Sequence, residues 1–186
     1  MKFFSIVFTL MFAVTAAFAQ DREVVMMERP DAPLDSYESY ALGNSFIDIE
    51  DNQWYDFGTL NSKMVQNAIV HEFDTYGYAM MEDEADVIVN YLVFDAEYND
   101  KHGYNKRPYT IEQDIGEENI LQQLEDGSLV LSVVDTETGQ AVWTGYMTDA
   151  VDPDANLREQ QIDIRKAVAS VLESYMATAN FDEYGR

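Results

Sequence analysis

The side chains best suited to chemistry gather between positions 99 and 118. Lys101, His102, Lys106 and Arg107 stand there with Tyr104 and Tyr109, just after Tyr98. The whole chain has only 11 Lys and Arg against 35 Asp and Glu, so this is a cationic, aromatic island on an acidic protein. Cations beside aromatic rings can grip a carboxylate or a sugar, and loops carry binding groups more often than strands do. The same residues also fit a plain exposed loop that holds the positive charge.

The acids offer two further chemistries. Two carboxyls held about 5 to 9.5 Å apart, one with a raised pKa, would hydrolyse a glycoside. With 35 acids such pairs arise by chance, so no pair is singled out. Asp152, Asp154 and Asn156, with Asp163 at the twelfth position, have the outline of a calcium loop. Leu157 stands where that loop needs Gly, and Pro153 interrupts it, so no metal site is expected. Glu82-Asp83-Glu84 and the Asp135–Glu137 pair would hold a cation only weakly. His71 has no neighbouring Ser or Cys to activate and is expected at or near the surface. No Gly-rich phosphate loop, GxSxG elbow or HExxH is present, which removes the common enzyme signatures.

Composition narrows the partners. A net charge of −24 disfavours nucleic acid and anionic membranes, since both are bound through Lys and Arg. It accords with solubility, or with binding of cations or a basic partner. The absence of cysteine removes disulfides, zinc–thiolate sites and thiol nucleophiles together. At the start, Met1-Lys2, an uncharged apolar run and Ala17-Phe18-Ala19 form a secretory signal pattern with cleavage before Gln20. The apolar run is shorter than the roughly 20 residues a spanning helix needs. The expected domains are a signal peptide at 1–19, a flexible lead-in at 20–33, one domain at 34–178 and a polar tail at 179–186.

The elements that must position any site are organised around residues 127–145. Two runs rich in β-branched residues, 129–134 and 141–146, flank Asp135-Thr136-Glu137-Thr138-Gly139-Gln140. Asp can bond its own backbone and Gly supplies positive φ, so a hairpin is predicted. Further strands are expected at 37–42, 78–81 and 85–98. Residues 46–49 fit a short strand or an irregular cover, and 120–124 a helical turn or a strand extension. Leu60, Met64, Ala68, Ile69 and Phe73 recur at helical spacing and end at Gly77; Ile164, Val168, Val171, Leu172 and Tyr175 do so after a cap at Asp154 or Asn156. The predicted fold is α+β: a largely antiparallel sheet of about four to six strands with two amphipathic helices packed on one face. On the hairpin, Val130, Val134, Val142 and Tyr146 alternate with Leu129, Leu131, Val133 and Trp143, so both faces are apolar. Trp143 is expected in the core beside Gly145. The helices cover one face, and the segment 99–126, a homodimer or protein partner, or a ligand is expected over the other.

The ordered residues resemble a family, the domain of unknown function family 4136 of bacterial envelope lipoproteins. The likeness runs through Tyr37 and Tyr40, Gly77-Tyr78, Ala85-Asp86-Val87-Ile88-Val89-Asn90-Tyr91, and Gly127 to Asp135. It continues through Thr138-Gly139-Gln140-Ala141-Val142-Trp143-Thr144-Gly145 and the last helix. It implies an exported α+β domain and carries over no catalytic residue and no cofactor. Members often bear a lipidated cysteine after the signal peptide, which this chain lacks. The combined expectation is a periplasmic or secreted, non-enzymatic envelope protein that binds a partner. The alternatives are a carboxylate-based hydrolase of glycan or peptide and a weak divalent-cation binder.

Overall fold

The computed structural model describes residues 23–43, 59–93 and 124–179. Strands β1 (Val24–Glu28), β2 (Ser39–Leu42), β3 (Ala79–Met80), β4 (Val87–Val93), β5 (Leu129–Asp135) and β6 (Ala141–Met147) form one sheet in the order β1-β6-β5-β4-β2-β3. Pairing is antiparallel from β1 through β4, and β2 runs parallel to both β4 and β3. Helices α1 (Thr59–Thr75) and α2 (Leu157–Ala179) pack against each other on one side of it. The α+β arrangement expected from the sequence is therefore the one observed, with a mixed sheet.

Local chemistry sets the boundaries. Gly77, at φ +86°, ends α1: its N–H bonds Asp74 O at 3.1 Å and the Tyr78 N–H bonds Phe73 O at 3.0 Å. This is the two-bond glycine cap that satisfies the last carbonyls of a helix. Asn156 caps α2, its Oδ1 accepting from the backbone N–H groups of Arg158 and Glu159 at 3.1 and 3.2 Å. The hairpin loop closes as its sequence predicts. Asp135 Oδ1 accepts the Thr138 N–H, and Gly139 takes φ +68°.

The helix-side core holds Val65, Ile69 and Phe73 of α1, Val168, Leu172 and Tyr175 of α2, and Val87, Val89, Leu131 and Trp143 of the sheet. Tyr40, Phe73, Tyr78, Tyr175 and Trp143 form a chain of ring contacts with centroids 4.5 to 6.4 Å apart. The opposite face is also buried over β5 and β6: Val130, Ser132 and Thr144 have no exposed surface. Leu124, from the end of the 99–126 segment, packs there with Leu92, Val130 and Tyr146.

Three expectations need correction. The 20–33 lead-in contains β1, which pairs with β6 from Val24↔Met147 to Glu28↔Trp143. Val24-Val25-Met26-Met27 is a short apolar run without alternation, and a two-sided edge strand leaves no period to detect. Val142 belongs to the helix-side core, while Ala141 joins Val134 on the other face. An irregularity between Val133 and Val134 shifts the register there, and one residue of slip turns a side chain to the opposite face. Finally, α2 runs to a buried Ala179, so the tail begins later than 179.

Candidate functional site

Two polar clusters and one groove stand out among the described residues. The first cluster lies at the loop end of the hairpin. The Asp135 carboxylate, buried at 8% exposure, accepts the Tyr37 hydroxyl at 2.8 Å, the Thr138 N–H at 2.6 Å and the Thr138 hydroxyl at 2.8 Å. Burial pushes its pKa up. The bonds from Thr138, Tyr37 and the Glu137 backbone outweigh that, and the carboxyl is held below its ordinary value. Burial and the adjacent Asp135 push the Tyr37 hydroxyl strongly upward.

The second cluster ties β2 to β4. Asp86 Oδ2 accepts the N–H of Glu38 at 3.0 Å, and the N–H and hydroxyl of Ser39 at 2.9 and 2.7 Å. The Ser39 Oγ in turn accepts the Asp86 N–H at 3.0 Å. The Glu38 backbone bond, then the Ser39 hydroxyl, hold Asp86 below the ordinary range. Thr136 completes the join, with its N–H bonding Asp86 O and its hydroxyl bonding Ala85 O at 2.6 Å.

These clusters are clamps in their chemistry. A general acid needs a raised pKa, and both carboxyls are shifted the other way. The sign gives a stability expectation. A carboxyl depressed on folding stabilises the fold above its unfolded pKa of about 3.9, and that gain is lost as pH falls through the folded value. Replacing Tyr37 with Phe should cost about 1–3 kcal/mol in denaturant unfolding, the usual loss for a buried bond to a charged group. It should also make the acid limb of the stability curve shallower below about pH 4, because one of the bonds depressing Asp135 is gone.

The groove runs beside β1, between that strand, the turn at 30–35 and the C-terminal part of α2. It encloses about 810 Å³ and is lined by Val24, Met26, Glu28, Leu34, Asp35 and Thr178, among others. Met26 is 47% exposed, and the Thr178 hydroxyl meets its sulfur at 3.9 Å. Nothing in the sequence period marked this strand.

Lys101, His102, Tyr104, Lys106, Arg107 and Tyr109 lie outside the described residues. His71 is exposed on α1. The calcium-loop outline does not assemble: α2 begins at Leu157, the sixth position, so the second half of the outline is helix instead of loop. Among the described residues no three His, Asp or Glu side chains converge on one point. No described helix is long and apolar enough to cross a membrane.

This geometry defines a class, an α+β domain with two packed helices on one face of a six-stranded mixed sheet. The sequence model of the domain of unknown function DUF4136 matches residues 24–175, and the chain belongs to that family. A DUF4136 family protein from Bacteroides thetaiotaomicron shares the fold at 14% identity and TM-score 0.51, the match covering 83% of this chain and 97% of that one. A PDZ domain protein from Parabacteroides distasonis matches at 13% identity and TM-score 0.52 over 83% of this chain, but only 35% of its own length. A PelC dodecamer from Paraburkholderia phytofirmans is more distant, at 12% identity and TM-score 0.42 over 82% of this chain and 96% of that one. No curated protein matches the chain.

Proposed function

We propose that the mature chain is an exported, non-enzymatic interaction module that takes an extended protein segment along β1. The signal pattern before Gln20 supports export to the periplasm or beyond. The carrying observation is the character of β1. It is a five-residue edge strand paired only with β6 among the described residues, its first four residues uncharged, with the groove alongside. Because the second face of the sheet is already buried over β5 and β6, the edge is the better surface for a partner.

An exposed edge strand is a template for another strand: backbone groups give affinity and adjoining pockets give selectivity. The outward groups follow from the register. The Arg29 N–H bonds Val142 O, so bonding to β6 alternates through Met27 and Val25. The N–H and C=O of Val24, Met26 and Glu28 therefore point away from the sheet. The side chains of those same three residues line the groove. The other edge is a poorer template, since β3 has two residues and is followed by Met81 and then Glu82-Asp83-Glu84.

Selection against a random peptide library tests this. Bound peptides should be extended and apolar, and Met26→Pro should abolish their binding while leaving the fold intact. Proline removes an N–H that faces outward, so the pairing with β6 keeps its bonds. Peptide binding unchanged in Met26→Pro, or no peptide retained, would overturn the reading.

A further inference from the structure

The β1 edge fits one partner by its own sequence. We infer that a second copy of this chain pairs with it, β1 against β1 in antiparallel register about a two-fold axis at Met26; this rests on the edge-strand reading above. With the axis there, Met26 faces Met26 of the second copy, and Val24 faces its Glu28. These are the residues whose backbone groups point outward, so the Met26–Met26 and Val24–Glu28 pairs are of the bonded kind and exchange both N–H···O bonds, with non-bonded pairs between them. An axis between two residues would face outward groups with inward ones and lose the ladder; among axes on a residue, Met26 is the one that places Glu23 opposite Arg29.

The charges at the ends agree with the same register. Glu23 falls opposite Arg29 of the second copy, and Arg29, whose Nε donates to Ala141 O of its own sheet at 3.3 Å, falls opposite its Glu23, so opposite charges face each other at both ends of the join. A two-fold interface must be self-complementary in this way. Between these ends, Val25 meets Met27, an apolar pair on the side away from the groove. Val25 is 37% and Met26 47% exposed in the single chain, so pairing removes apolar surface from water. The product is one continuous sheet running through both copies.

Sedimentation of the mature chain at about 0.15 M salt, where long-range repulsion between the acidic copies is screened, reads the outcome. The expected result is a concentration-dependent dimer that Met26→Pro reduces to a monomer. Glu23→Arg, an exposed change, should weaken it about tenfold by placing two cations opposite each other at both ends. A Met26→Cys variant, the only cysteine in the chain, should form a disulfide-linked dimer under mild oxidation. A wild-type monomer throughout the micromolar range, or a dimer indifferent to both Met26→Pro and Glu23→Arg, would overturn the inference. A monomer that still binds library peptides through Met26 would overturn the second copy as partner and leave the edge-strand reading standing. A monomer that binds none would overturn both.

Discussion

Replacing Trp143 with Ala should cost about 3–5 kcal/mol, the usual loss for a buried aromatic truncated to Ala. Against a typical domain stability of about 5–15 kcal/mol, that leaves a fold near its limit. The indole has no exposed surface and lies edge-on to Tyr175, with ring centroids 5.4 Å apart. It sits where β6 meets α2, so a cavity there is bounded by both layers and collapses poorly. Trp143→Phe should cost much less. The buried indole N–H has no hydrogen-bond partner among the described residues, and Phe removes that polar group while keeping most of the ring. Equilibrium denaturation read by circular dichroism checks both, since the fluorescence of one of the two tryptophans is lost with the side chain. A loss under about 1 kcal/mol for Trp143→Ala would show that the layers close over the gap.

The second large effect is at Gly145, and it is coupled to the first. A Cβ on Gly145 would run into the outer ring of Trp143, with Cη2 and Cζ2 nearest, and would meet Val171 Cγ1 of α2 at 3.0 Å. The indole thus lies folded over the glycine of its own strand, pinned from above by α2. Gly145→Ala should cost about 1–3 kcal/mol through overpacking. In a Trp143→Phe background the colliding atoms are gone. The cost of Gly145→Ala should then drop, with a coupling of about 1 kcal/mol in the double-mutant cycle. Simple additivity would mean that the strain comes from Val171 instead.

The pair Trp143 and Gly145 also shows how far the sequence reaches. An aromatic two residues from a glycine on a strand predicts close packing on one face, and the structure fills that space with the indole itself. Tyr40 was visible as a strand residue, Tyr37 was expected in the same strand but lies two residues ahead of β2, and the bonds of neither were visible. The Tyr37–Asp135 bond joins positions 98 apart, and no local pattern marks such a pair. Tyr40, its pKa pushed up to about 12 by burial and by Asp74 beside it, is likewise defined by neighbours brought from elsewhere in the chain.

What the sequence determined by itself is what depends on neighbours a few residues away. The glycine cap at Gly77, the asparagine cap at Asn156, the hairpin loop from Asp135 to Gln140 and the inward faces of both helices all close within one or two turns of chain. Their physics is contained in short segments, so residue type and spacing suffice. Only the tertiary structure decided the rest. It placed β2 parallel between β4 and β3, turned Val142 to the helix side at the irregular step, and laid β1 along β6. These outcomes depend on register between distant strands, where a single residue of slip exchanges the faces. The β1 edge, on which the functional proposal rests, is the clearest case: four apolar residues without a period became a strand because β6 had an open side to receive them.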